Sequence, residues 1–410
     1  MKKLFVVLLM LVAVRANAQW VQVSNGMPLT NDISALVVSG NNILAGTYSG
    51  IFFSTNNGLS WNQTEIQGTI YCLAVSGNNV FAGGNGGGII ISTNYGINWA
   101  QTGLTEYGFE SICINGNNIY AGSSGVGVYL STNNGTNWSQ AGLNNKIISS
   151  IVTSGNNIFA ATWDSGVYKS TNNCISWNST QLNNIGIQKL AVNGNNIFAG
   201  TNNLNEGSGV YLSTNEGINW NLTSLIHCRA YCFEFKDNNV FTFALTTPLS
   251  ERGIYLSSNN GGNWLIKNQG FGNIPLVISL LAVNNYIFAG TSYNSIWRRS
   301  LSEIIGIQNI STETPLQFSL YQNYPNPFNP TTRIKYDVPS LSFPNVSIGN
   351  PVVLKVYDIT GREIQTLVNE RLLAGTYETT FDGSMLNSGV YFYKLTTDGF
   401  SESKRMILLK

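Results

Sequence analysis

Groups able to do chemistry are scarce in the first three-quarters of this chain, and that scarcity bounds its function. Between Gln19 and Pro315 there are nine Lys/Arg and twelve Asp/Glu, and His227 is the single histidine of the whole sequence. Four carboxylates, Asp32, Asp164, Glu206 and Glu251, are placed plausibly for acid–base work. Two acids flanking a cleft would hydrolyse a glycosidic bond, but none of the four sits in a context that marks a catalytic pair. Glu251-Arg252 reads as a local solvated pair. Ser/His/Asp chemistry would need His227, and no G-x-S-x-G elbow surrounds a serine. Gly83–Gly88 does not follow a strand and open a helix, so it is no phosphate cradle. The aromatic residues offer more: Tyr48, Trp163 and Tyr293 could stack on sugar rings or peptide side chains.

The elements that would position these residues come from a repeat. Ser54-Thr-Asn-Asn-Gly-Leu-Ser-Trp61 recurs from Ser92, Ser131, Ser170, Ser213 and Ser257, and each copy ends in Trp seven residues later (Trp99, Trp138, Trp177, Trp220, Trp264). Starts lie 38 to 44 residues apart, a period of stacked or radially arranged units. A second marker, Asn-Asn before an apolar pair, begins at Asn41, Asn78, Asn117, Asn156, Asn195, Asn238 and Asn284. Each unit then reads as four short strands, for example Ile33–Val38, Ile43–Gly46, Ile51–Ser54 and a fourth led by Trp61. Four strands in about 40 residues describe a β-propeller blade. The seventh unit lacks its Trp-led strand, whereas the stretch after Gln19 supplies a spare one at Trp20–Val23. Pairing the two would close a seven-bladed ring and remove its open edges.

The octapeptide resembles the Asp-box, S-x-D-x-G-x-T-W, of sialidase-like propellers. Asn stands at the Asp position (Asn56, Asn94, Asn133, Asn172, Asn215, Asn259), and either side chain can bond the turn backbone. Ser54, Asn56, Gly58 and the six tryptophans are therefore expected to be structural. Cys174 replaces the turn glycine in the fourth unit, which should weaken that turn by roughly 1 kcal/mol. The resemblance also implies a test for activity. Sialidases use three arginines for the substrate carboxylate, a Tyr–Glu nucleophile pair and an acid. This region has only Arg229, Arg252 and the adjacent Arg298-Arg299.

Strand order divides the faces. The Asn-Asn and octapeptide turns share one face, and the variable second-to-third loops and blade connections share the other, which is the functional candidate. It would carry Tyr48, Gly83–Gly88, Ser123–Gly125, Trp163-Asp164, Asn202–Ser208 with Glu206, Thr246–Arg252 with Glu251, and Tyr293. The connections add Glu106, Tyr107, Phe109, Lys146, His227, Arg229 and Phe271.

The ends say where the chain goes. Met1-Lys2-Lys3, the apolar Leu4–Val14 and Ala16-Asn17-Ala18 form a secretory signal peptide over 1–18. After a polar linker, 302–315, the texture changes to alternating strands cut by Gly and Pro turns, a small antiparallel sandwich over 316–410. Tyr324-Pro-Asn-Pro-Phe-Asn-Pro-Thr-Thr332, Gly361-Arg362, Ala374-Gly375 and Ser388-Gly-Val-Tyr-Phe-Tyr-Lys-Leu395 closely resemble the C-terminal sorting domain of the type IX secretion system. That resemblance implies a translocon as partner and a final place at the cell surface or outside, with removal of the domain a frequent outcome in the family.

With 10% charged residues and a net charge of +1, no field attracts nucleic acid or acidic membranes. Cys72, Cys113, Cys174, Cys228 and Cys232 show no metal-like spacing and read as small core residues, with one inter-strand disulfide left open. The expectation is all-β: a seven-bladed propeller over 19–301, an Ig-like sandwich, no cofactor or metal, and a binding module for polysaccharide or protein. A glycoside hydrolase with an unrecognised carboxylate pair and a purely structural adhesion component are the alternatives.

Overall fold

The computed structural model describes residues 19–236, 238–305, 307–311, 315–340, 350–372, 374–384 and 386–410; the signal-peptide expectation for 1–18 lies outside them. Seven four-stranded antiparallel sheets follow one another along the chain. Their inner strands are Ile33–Ser39, Ile70–Ser76, Phe109–Asn115, Ile148–Ser154, Ile187–Asn193, Cys228–Lys236 and Val277–Val283. The fourth strand of blade seven comes from the N-terminus: Val21 and Gln22 pair with Arg298 and Trp297. Trp20 anchors that strand, donating its indole N–H to the Lys267 carbonyl at 2.7 Å and stacking on Phe271 at 5.3 Å. Ser279 of blade seven donates to the Ile33 carbonyl of blade one at 2.6 Å. The ring is closed.

Core residues lie between blades. Phe52 and Trp61 of blade one, for instance, pack with Phe288 and Ile296 of blade seven in one buried cluster. This is why the repeat period carries the fold: each blade is apolar on both faces and needs a neighbour on each.

The octapeptide turn is built by side chain–backbone bonds. Ser54 Oγ accepts the Gly58 N–H at 2.9 Å and donates to Asn56 Oδ1, which in turn accepts the Ser60 N–H at 2.9 Å. The asparagine oxygen acts purely as an acceptor here, the role a carboxylate would fill. Gly58 has φ of 76°, and a Cβ there would lie 2.5 Å from Phe288 Cε1 of the adjacent blade. Cys174 holds the same left-handed conformation at 69°. It is buried in one cluster with Tyr120, whose hydroxyl donates to Asn173 at 2.5 Å.

Blade six departs from the pattern. Its inner hairpin adds the pairs Cys228↔Thr246 and Arg229↔Leu245 before the point where the other blades begin. Two extra residues per strand raise it by about 7 Å on the variable face.

The last 95 residues, together with Ile307–Ser311, form two further four-stranded sheets; the segment expected as a linker thus supplies an edge strand, pairing with Gly375–Asp382. Tyr336, Tyr377 and Tyr393 are fully buried between the two sheets. The Tyr393 hydroxyl donates to the Tyr321 carbonyl and accepts the Asn323 N–H, both at 2.8 Å. Buried Asn323 donates to the Pro325 carbonyl and to Thr332 Oγ1, so the Pro-rich segment is tied into the sandwich. The sandwich also meets the propeller. Leu265, in the outer strand of blade six, is 5% exposed and belongs to the sandwich core cluster. Its counterparts Asn62, Ala100, Ser139, Asn178, Asn221 and Val21 are exposed.

Candidate functional site at the mouth of the ring

Each inner strand enters from the variable face, and the same device marks its start seven times. The first residue after the second strand donates its N–H to the carbonyl preceding the first: Tyr48 to Asp32, Asn85 to Thr69, Ser124 to Gly108, Trp163 to Ile147, Asn202 to Gly186, Thr247 to His227 and Ser292 to Leu276. Just inside lies a register shift in every blade, leaving Ser34, Tyr71, Glu110, Ser149, Gln188, Tyr231 and Ile278 out of the ladder. A bulge re-aims its side chain and locally ends pairing. All seven bulged residues are half-buried, and they range over Ser, Tyr, Glu, Gln and Ile from blade to blade. They are the variable lining of the ring's mouth.

Two polar clusters are built on them. On blades one to three, Ser124 Oγ donates to Glu110 at 2.8 Å. Burial raises the Tyr71 phenol above its ordinary value, and the Glu110 charge and Tyr48 push it the same way. On blades four to six, Arg229 donates to Gln188 Oε1 from Nε at 3.1 Å and from Nη2 at 2.6 Å. Its guanidinium lies 4.5 Å from the Tyr231 ring centroid and 5.4 Å from that of Trp163. Three blades thus hold one cation, and Trp163 keeps 42% of its surface exposed.

The remaining candidates are dispersed. Asp32 accepts from Ser292 Oγ at 3.0 Å and the Tyr293 N–H at 2.8 Å, clamping blade seven's loop. Tyr293 itself is 76% exposed, and its φ is +54°. Asp164 accepts from Ser165 and pairs with Lys146 at 3.7 Å. Glu206 is exposed on blade five's loop, and Glu251 ends a short 3-10 turn, Leu249–Glu251, with Arg252 capping it through its backbone. No bond or ion pair joins any two of these four acids. Tyr48 is exposed and accepts from Thr69 through its carbonyl. His227 is exposed with φ of +52°, while Phe109 and Phe271 are buried core.

A separate concavity of about 270 Å³ lies between the blade one–two connection and Gly84–Gly88. Its polar groups serve the scaffold: Glu65 accepts the Trp99 N–H, and Gln101 donates to the Gly87, Ile89 and Leu104 carbonyls. Among the described residues no cluster of three or more His, Cys, Asp or Glu could hold a metal, and all five cysteines are free thiols.

Tyr71, Glu110, Gln188 and Tyr231 escaped the sequence reading because the second-strand loops looked more variable. Their signal was the position five residues before the end of each inner strand, which ranges over Ser, Tyr, Glu, Gln and Ile among the repeats.

Residues 322–409 match the family model of the secretion system C-terminal sorting domain. The protein is therefore exported to the cell surface or the extracellular space. No helix among the described residues is long and apolar enough to cross a membrane. No curated protein matches the chain. Solved structures do. YCF48 from Cyanidioschyzon merolae is 15% identical, with TM-score 0.54, over 69% of this chain and 98% of its own. A second structure, YCF48 bound to D1 peptide, gives 15% identity and TM-score 0.53 over 74% and 99%. A GH74 xyloglucanase from Xanthomonas campestris is 13% identical with TM-score 0.58, over 94% of this chain and 75% of that one. At these identities the likeness is one of fold.

Proposed function

We propose that this protein is an exported binding module whose propeller, 19–301, presents one ligand face around the mouth of its ring. The segment 302–315, which carries the edge strand Ile307–Ser311 of the sandwich, leads into the 316–410 domain that the type IX translocon reads. The ligand is a polysaccharide or a protein. The observation that carries this reading is the Trp163–Gln188–Arg229–Tyr231 cluster, in which three blades orient one cation beside an exposed indole. Such a constellation has no scaffold counterpart in blades one to three or in blade seven. The opposite face carries the Asp-box-like turns, whose serine, asparagine and glycine are consumed by the turns themselves. Precedent exists for both ligand classes on this fold: one similar propeller was solved with a peptide bound, and another is a xyloglucanase. Two of the four candidate acids are engaged elsewhere, Asp32 in a clamp and Asp164 in an ion pair, which favours binding over hydrolysis.

The test is retention of the full exported chain on a panel of plant and bacterial polysaccharides, with release of reducing ends followed in parallel. Retention lost on Trp163→Ala, without new reducing ends, supports the module. Cleavage abolished at Asp164 or Glu206 would replace it with a hydrolase. Neither signal would leave a protein ligand or a structural surface role.

A further inference from the structure

Resting on the binding-module reading, we infer that the ligand carries carboxylates, specifically that it is a uronate-containing polysaccharide, and that Arg229 is the counter-ion of those carboxylates. The argument begins with what surrounds this guanidinium. Gln188 Oε1, the Trp163 ring and the Tyr231 ring are all neutral, and Arg229 makes no ion pair with a carboxylate among the described residues. Nη1 has no hydrogen-bond partner there. A strut between blades would be stronger with a glutamate at 188, because a carboxylate would add the attraction of opposite charges to the same two hydrogen bonds. Glutamine fixes the fork and leaves the charge unspent.

Placement supports the same conclusion. Arg229 exists at this level only because blade six's hairpin is longer than the other six. Next to Gln188, Lys189 is a second departure from the repeat: it stands where the other blades carry Ala35, Cys72, Ser111, Ser150, Cys232 and Ser279. It too has no ion pair among the described residues. Two uncompensated cations thus sit on adjacent inner strands. Among the seven bulged residues the one acid is Glu110, on blade three, and it accepts the Ser124 hydroxyl.

A planar fork held on one edge presents the geometry a carboxylate matches, and its preorganisation lowers the ordering cost of binding. The exposed Trp163 indole beside it offers a flat apolar face for a sugar ring. An open face joining a carboxylate receptor to a stacking platform fits an acidic sugar polymer better than a peptide, whose side chains would look for a groove.

The experiment compares the full exported chain on polygalacturonate and alginate with fully methyl-esterified polygalacturonate and with dextran sulfate, by affinity electrophoresis at low and 0.15 M salt. We expect one or both uronate polymers to bind more tightly than the ester, by about ten- to a hundredfold, the range for a hydrogen-bonded charge. Arg229→Gln should abolish that difference, and Arg229→Lys should retain only a part that salt removes. Melting temperatures of both variants, matched to the parent, show that the ring is intact. If the ester binds as well as the acid and Trp163→Ala removes both, the platform stands and the carboxylate inference falls. Equal binding of dextran sulfate reduces the site to bare charge and also overturns it. Binding indifferent to both variants, or none at all, overturns the inference and the proposed face together.

Discussion

Replacing Glu234 by Gln removes a charge from the interface between blades six and seven while leaving the amide oxygen in place. Glu234 Oε1 accepts the Ala282 N–H of blade seven at 3.0 Å, a bond that Gln can keep. The equivalent residues are Val37, Ala74, Cys113, Val152, Ala191 and Leu281, so the acid occupies an otherwise uncharged ring. Burial drives its pKa up from 4.5 to about 7, partly opposed by the Ala282 N–H. An unfolded chain releases this proton near 4.5, the folded one near 7. Between those values the folded state binds more protons, so its stability falls as pH rises through that window and is flat above it. The full difference is worth about 3 kcal/mol at 1.36 kcal/mol per pKa unit. Glu234→Gln should therefore match the parent near pH 4.5 and be more stable at pH 8, by at most about 3 kcal/mol. In melting temperature that is roughly 6 °C for a domain of this size. Thermal unfolding of both proteins from pH 4.5 to 8 measures it. Parallel curves across that range would refute the reasoning and mean that the carboxylate stays hydrated when folded.

The glycines of the turns separate two costs. Gly58→Ala meets both a left-handed backbone and Phe288 at 2.5 Å, whereas Gly77 has φ of +59° and nothing within 4 Å of a built Cβ; urea unfolding should show about 2 kcal/mol lost for the first and about 1 for the second. Equal losses would mean that Phe288 moves aside freely. Leu265→Asp should loosen the sandwich from blade six, since burying a leucine is worth about 2 kcal/mol; native proteolysis between the domains should accelerate at least about tenfold, and less than a twofold change would show the contact to be incidental. Burial pushes the Cys72, Cys174, Cys228 and Cys232 thiols up to about 12 and raises Cys113. With about one thiolate in ten thousand at pH 8 for the first four, Ellman's reagent should find those thiols silent until denaturant exposes them. Prompt reaction of more than one thiol in the native chain would contradict that burial.

What the sequence by itself determined was everything that repeats. A turn of fixed chemistry every 38 to 44 residues leaves each unit unable to bury its faces alone, and that forces an all-β ring. The sorting motifs likewise name the chain's destination, because an address is read from local strands and turns. The mouth of the ring was decided by tertiary structure. Trp163, Gln188, Arg229 and Tyr231 are spread over 69 positions and three blades, and the bulges that aim Gln188 and Tyr231 inward appear only once strands pair. Arg229 was visible as a loop cation, but not its height, which follows from two extra residue pairs in one hairpin. Leu265 and Glu234 tell the same story from opposite directions. An apolar residue on an outer strand and an acid in an apolar ring look like noise in one repeat. Each acquires meaning only when the sandwich covers the one and the neighbouring blade desolvates the other, because burial is a property of what folds against a residue.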